Sequence, residues 1–329
     1  MPDDDPVLQV DGLAVSFPSV RGLGHAVQGV SFSIARGEVV GLVGESGSGK
    51  STVAHALVRV LPPGARVSGR VRLGSEDVLT MGPRRLREYR WGAVSLVLQG
   101  AMNALNPVMT IEQQVVDVIR AHKPVSKRDA RAAVPGLLEL VGIDPSRRRS
   151  YPHELSGGMR QRCVIAIALA LGPQVVLMDE PTTALDVVVQ RSIMDELAGL
   201  RHRLGFATLL ISHDLELVAE RASRVAIMYA GRIVEMGPTD QVVGDPKHPY
   251  TQALLGAAMP LGGERLRLEE LPGRPPDLLQ PVTGCAFYPR CSRAVEGHDR
   301  TVPVLEEVSE GHLVACHLYA GSGADVVAG

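Results

Sequence analysis

Residues 44–51 read GESGSGKS, and no other stretch limits the fold of this chain as tightly. The pattern G-x-x-x-x-G-K-S follows EVVGLVG, a short apolar run suited to a buried strand. It precedes STVAHALVRVL, whose spacing predicts a helix. Between a strand and a helix, such a glycine loop turns consecutive backbone N–H groups toward phosphate oxygens, with the helix N-terminus behind them. That context makes it a P-loop. The expected nucleotide cradle is Gly44, Glu45, Ser46, Gly47, Ser48, Gly49, Lys50, Ser51 and Thr52. Lys50 should reach the β- and γ-phosphates, and the Ser51 hydroxyl should ligate Mg²⁺. A chance glycine-rich turn would not match both flanks.

The remaining elements fit around that loop. VLQVDGLAVSF and AVQGVSFSI alternate apolar and polar residues, as strands do. SGRVRLGSEDV (68–78) reads as a strand and turn, and WGAVSLVLQ reaches Gln99 as a buried strand. Residues 110–172 are mostly helical in pattern: IEQQVVDVIRAH and DARAAVPGLLELVG have helical spacing, with Pro135 expected as a boundary or kink. From Gln174, QVVLMDE, ATLLISHD and RVAIMYAGRIVEMG carry the apolar runs of a mostly parallel sheet. The expected fold class is α/β. It comprises a P-loop NTPase core, a β-rich N-terminal subdomain, a helical insertion over about 100–172 and a small irregular cysteine-containing extension. Domains are expected at 1–240 and 241–329.

Composition removes several alternatives. The net charge of the 329-residue chain is −2, so no basic field points to nucleic acid. The longest apolar stretch, Cys163 to Met178, is broken by Gly172-Pro173 and does not read as a membrane span. The N-terminus MPDDDPVLQV lacks a signal-peptide pattern. A cytosolic location is expected unless a partner holds the chain at a membrane. Four cysteines in a chain this long do not make a disulfide scaffold, and clustered ones suit metal ligation. Cys163, on an apolar helix, reads as buried.

QVVLMDE ends a buried strand on Asp179 and Glu180. Asp179 suits Mg²⁺ coordination, and Glu180 is placed to polarise an attacking water as general base. Gln99 and His213 also end strands, where neutral hydrogen-bonding side chains suit sensing of water and γ-phosphate. The expected Mg²⁺ set is Ser51, Gln99 and Asp179. A second glycine cradle, LSGGM, opens another helix at Ser156, Gly157 and Gly158. Ser156 can cap the helix and the glycines expose N–H groups, but it has no lysine.

GESGSGKST, Gln99 in LVLQG, LSGGMRQR, VVLMDEP, TALD and ISHD, in that order, resemble the ATP-binding subunits of ABC transporters over roughly residues 7–240. The resemblance implies ATP and Mg²⁺ as ligands. It implies that Gln99 couples the site to membrane domains, that Asp179 is the Walker B aspartate and Glu180 the catalytic glutamate. Asp186 would lie in the loop crossing a dimer, and His213 would be the switch histidine. It also explains the second cradle. Two such domains pair head to tail, and each LSGGM closes over the γ-phosphate held by the partner's P-loop. Adenine binding is expected near Phe17 and His25, where the family usually places an aromatic residue.

LQGAMNALNPVMTIEQQ, HPYTQALL, LPGRPPDLL and GCAFYPRC resemble the oligopeptide/dipeptide importer subfamily, which also includes importers of nickel chelates and oligosaccharides. This implies a homologous second ATPase, two permease subunits and an extracytoplasmic binding protein, with this chain at the cytoplasmic membrane face. Peptide is the expected cargo. Soluble ABC ATPases of DNA repair or translation fit less well, because the insertion of about 55 residues before LSGGM lacks heptads and there is one cassette. The tail spacing is Cys285-x₅-Cys291-x₆-His298-x₁₇-Cys316. Relatives can hold an iron–sulfur cluster on four cysteines, the third of which is His298 here. The resemblance implies a [4Fe–4S] cluster on Cys285, Cys291, His298 and Cys316, and the other reading is a site that has lost its metal and whose cysteines only pack. Zinc is the alternative, and His312 or His317 could substitute for His298.

Overall fold

The computed structural model describes residues 6–100, 104–182, 185–258, 273–279 and 282–320. In chain order the elements begin with β1 (Leu8–Ser19), β2 (Gly22–Ile34), β3 (Val39–Val43), α1 (Lys50–Leu57), β4 (Arg66–Leu73), β5 (Glu76–Asp77) and α2 (Pro83–Tyr89). They continue with β6 (Val94–Val97), α3 (Ile111–His122), α4 (Lys127–Leu140), α5 (Gly157–Leu169), β7 (Val175–Asp179), α6 (Val187–Leu204) and β8 (Ala207–Ser212). The last are α7 (Leu215–Ala219), β9 (Arg224–Tyr229), β10 (Arg232–Pro238), α8 (Thr239–Gly244), α9 (Pro249–Ala258), β11 (Glu306–Ser309) and β12 (His312–Val314). The chain divides into two units. One comprises Met1–Leu8, Ile34–Glu38 and Leu73–Leu209; the other comprises Gln9–Ser33, Val39–Arg72 and Leu210–Gly329.

In the first unit β6 and β7 pair in parallel, Val94 opposite Val175 and Val97 opposite Met178. All five residues of β7 are buried, so its sequence is continuously apolar instead of alternating. Helix α3 starts at a capping box in which Thr110 and Gln113 satisfy each other's backbone N–H. It buries Ile111, Val115, Val116 and Ile119, a single helical stripe. Ser126 caps α4, which buries Ala130, Val134 and Leu138. Of the two expectations for Pro135, a boundary is excluded, because α4 runs through it without ending. An interior proline costs a helix about 3 kcal/mol. Buried Val134 and Leu138 on either side anchor the helix against that cost.

In the second unit β2, β1 and β4 lie side by side in one sheet, and β11, β12, β10, β9 and β3 follow one another in a second. Only the β3–β9 junction is parallel in that run; β9–β10, β10–β12 and β11–β12 are antiparallel. The antiparallel edge differs from the parallel reading of RVAIMYAGRIVEMG, whose second half, β10, runs antiparallel to β9. RVAIMYAGRIVEMG is a hairpin, turned by Ala230 (φ 48°) and Gly231 (φ 81°), the two left-handed positions of a type I′ turn.

The tail is also more regular than its proline content suggests. Its anchor is Glu235 on β10, whose side chain is completely buried. Its carboxylate accepts from Lys247 N (2.7 Å), His248 N (3.0 Å) and His312 Nε2 (2.8 Å). Buried carboxylates persist where hydrogen bonds replace the lost water. One side chain thus ties the start of α9 and the β11–β12 hairpin to β10.

Candidate nucleotide site

The P-loop of the second unit is shaped by approaches that tolerate no side chain. A Cβ on Gly44 would lie 2.1 Å from the Met228 carbonyl oxygen. Gly49 has φ 103°, and a Cβ there would meet the Ala26 carbonyl oxygen at 2.3 Å. The β9–β10 turn backs the loop through Gly231 N to Ser48 O at 2.9 Å. Lys50 begins α1 and is 6% exposed. Its ammonium donates to Gly44 O (2.6 Å), Glu45 O (2.8 Å) and Ser48 Oγ (3.3 Å), which holds it across the mouth of the loop. Ser51 and Thr52 follow in the first turn of α1. Ser46 and Gly47 line a small cavity with Glu45, Ser48 and the tail residues Pro275, Pro276 and Leu278.

The carboxylate pair lies in the first unit. Asp179 ends β7 and is 2% exposed. Glu180 follows with φ 46°, a left-handed conformation that costs a non-glycine residue about 1 kcal/mol or more. Gln99, just past β6, donates from Nε2 to Glu180 Oε2 at 2.8 Å. The parallel pairing of β6 and β7 brings their C-terminal ends, and so these two side chains, together. LSGGM is in the same unit. Ser156 Oγ accepts from Met159 N at 3.3 Å and caps α5. Gly158 packs against α6, where a Cβ would meet Val189 Cγ1 at 2.8 Å. Asp186 caps α6 by accepting from Val189 N at 3.0 Å. Thr183 and Ala184 of TALD lie outside the described residues. His213 follows β8 in the second unit and is exposed.

Residues 27–183 match the ABC transporter family, and residues 234–297 match the oligopeptide/dipeptide transporter C-terminal region. A probable peptide ABC transporter ATP-binding protein of Sinorhizobium fredii is 41% identical over 320 residues, 96% of each chain. The chain belongs to the ABC transporter family. The dipeptide transport ATP-binding protein DppD of Bacillus subtilis is 41% identical over 318 residues, 95% of each chain. The solved dimeric ATP-binding cassette MJ0796, in a post-hydrolysis state bound to ADP and Pi, aligns with TM-score 0.62 and 25% identity, covering 70% of this chain and 98% of that one. This chain is therefore an ABC-type ATPase. No helix among the described residues is long and apolar enough to cross a membrane.

In this ABC ATPase both candidates for adenine contact are half-buried, Phe17 on β1 and His25 on β2. The backbone N–H of His25 donates to Leu278 O at 2.9 Å. The sequence alone did not reveal that the C-terminal extension meets the P-loop. The Arg290 guanidinium grips the Glu45 carboxylate with two bonds, Nη1 to Oε2 (3.0 Å) and Nη2 to Oε1 (3.1 Å). Glu45 N donates to the Tyr250 hydroxyl at 2.8 Å. The available signal was an acidic residue at the second position of the loop and an arginine in GCAFYPRC.

The expected metal centre in the tail finds no support among the described residues. Cys285, Cys291, His298 and Cys316 do line one cavity, but its volume is about 10 Å³, room for about one water. Among the described residues, no group of three or more His, Cys, Asp or Glu is arranged to hold a metal ion. His298 stacks on His317 with ring centroids 4.6 Å apart. His317 Nε2 contacts Thr301 O at 2.8 Å, and the other substitute, His312, is held by Glu235. Burial raises the pKa of the Cys285 and Cys316 thiols. Cys163 is buried as expected, its pKa pushed up to about 12 by desolvation.

Proposed function

We propose that this chain is the ATP-hydrolysing subunit that powers import of peptides through an ABC transporter complex. The observation that carries the reading is the joining, in one chain, of the ABC match with the oligopeptide/dipeptide C-terminal match. The dipeptide transport relative spans almost the same length.

Residues 44–52 cradle the triphosphate, and Lys50 neutralises its charge. Mg²⁺ would be held by the oxygen donors of Ser51, Gln99 and Asp179, a hard-cation set; when bound it spreads the charge on the β- and γ-oxygens. Glu180 takes a proton from the attacking water, oriented by Gln99, and His213 senses the γ-phosphate. Ser156, Gly157 and Gly158 close on the nucleotide of a homologous second subunit, and Asp186 lies at that contact. Val187 and Val188, 75% and 79% exposed beside Asp186, support a surface covered in such a dimer.

Two permease subunits and an extracytoplasmic binding protein complete the complex, with this chain peripheral at the cytoplasmic face and no nucleic acid involved. Val108 is 78% exposed and Tyr151 40%, in segments joined by Ile111 N donating to Ser150 O at 3.0 Å. They offer apolar area for permease contact. The cassette is read as residues 1–240 and the extension as 241–329. Purification of the native complex from membranes tests the reading. Co-purifying integral membrane subunits and ATPase stimulation by peptides are expected. Ribosomes or nucleic acid in their place, or stimulation only by nickel chelates or oligosaccharides, would contradict it.

A further inference from the structure

Every P-loop must keep its amide groups aimed at the phosphates, and a carboxylate in such a loop works against that purpose. Glu45 lines the same cavity as Ser46, Gly47 and Ser48. A bare negative charge there would repel a triphosphate. Arg290 neutralises it with a two-pronged ion pair whose arginine side chain is 4% exposed, the geometry that makes such pairs strongest.

The arginine is itself fixed. Its Nη1 also reaches the Tyr229 hydroxyl at 3.2 Å, and its guanidinium carbon lies 5.7 Å from the Tyr229 ring centroid and 5.9 Å from that of Phe287. Tyr250 packs against Tyr229 at 4.6 Å and Phe287 at 5.5 Å between centroids. Its hydroxyl accepts the Glu45 N–H. The extension therefore holds both the backbone and the side chain of one P-loop residue. It does so from a rigid ring cluster that the Glu235 anchor ties to β10.

We propose that Arg290 and Tyr250 are positioning residues for ATP binding, through which the folded extension sets the charge and the backbone of the P-loop at Glu45. The proposal rests on the nucleotide site described above and adds the extension to it. Loss of the extension's packing would weaken nucleotide binding at a distance from the phosphates.

The test is titration of the full chain with a fluorescent ATP analogue, beside ATPase kinetics of the assembled complex. Coupling of this kind amounts to about 5- to 150-fold in affinity. Arg290→Ala is expected near the lower end, about 5–20-fold weaker, with KM for ATP raised and kcat at saturating ATP within about twofold. Tyr250→Phe keeps the ring but removes the acceptor, and should weaken binding a few-fold. The decisive variant adds Glu45→Gln to Arg290→Ala. Removing the exposed charge should restore affinity to within about threefold of the parent, a rescue that a merely structural arginine would not show. Affinity of Arg290→Ala within twofold of the parent, or no rescue in the double variant, overturns the proposal. If Arg290→Ala does not fold, Arg290→Lys and Tyr250→Phe decide: unchanged affinity in both overturns it, and weaker binding in both supports it. Lys50→Ala separates the two readings. If the parent binds nucleotide no better than Lys50→Ala, the nucleotide site itself is wrong.

Discussion

Glu180 combines three properties in one residue: a strand-end position, a left-handed backbone at φ 46° and a bond from Gln99. Strain at a chemical centre is retained where the surroundings determine the geometry. Here the buried strand β7 before it and the Gln99 amide beside it do so. Its place after VVLMD was legible from the sequence, because a continuously apolar run ending in two carboxylates admits few readings. The backbone strain was not, since φ at a single residue depends on the turn that follows. Glu180→Gln should lower turnover about 10²- to 10⁴-fold while ATP affinity holds, because the amide keeps the shape and removes the base. Single-turnover hydrolysis beside nucleotide titration checks this, with the partner's glutamate changed in parallel. Turnover near the parent rate would remove Glu180 from the role of base.

At the scale of elements, the two glycine cradles divide the work. Lys50 starts α1 behind one and Ser156 caps α5 behind the other. Lys50→Ala should weaken ATP binding to the isolated chain about 10- to 100-fold, the worth of a charge-assisted contact. Ser156→Arg should leave that binding largely intact and block nucleotide-driven dimerisation. Equal loss of binding in both variants would contradict the shared-site reading. These cradles were legible because each needs its residues in sequence order.

What depends on long-range packing was not legible. Pro135 reads locally as a boundary or a kink, and neighbouring core side chains exclude the boundary. Seven-residue α2 is too short for periodicity to reveal. The hairpin of β9 and β10 hides in apolar runs that suit parallel strands equally well. The tail's order rests on Glu235, whose bonds to residues 12, 13 and 77 positions away no local pattern announces.

The start of α9 also carries a pH dependence. His248 is buried, its Nδ1 accepts from Tyr250 N at 3.0 Å, and desolvation lowers its pKa to about 4. The folded state thus favours neutral imidazole. Its contribution is complete above the unfolded value near 6.5 and is lost as pH falls toward 4, on the order of 3 kcal/mol at most. His248→Asn keeps an acceptor but does not titrate. Urea unfolding between pH 7 and pH 4 should show a shallower loss of stability for the variant; equal slopes would contradict this role.

Over the whole molecule, the chain joins a phosphate-binding cassette to an extension that shares its second unit with the P-loop. The motifs announced the cassette, whereas the extension could be recognised only by resemblance. The extension is ordered through the Glu235 anchor and the ring cluster of Tyr229, Tyr250 and Phe287. The central claim is that hydrolysis by this chain drives peptide import. It is tested most directly by uptake of labelled di- and oligopeptides into proteoliposomes containing the complete transporter, with ATP on the side of this subunit. The account predicts ATP-dependent peptide uptake by the parent complex, abolished when Glu180→Gln is combined with the same change in the partner. Peptide uptake that persists in that doubly changed complex, or a parent complex that hydrolyses ATP without moving any peptide, would contradict it.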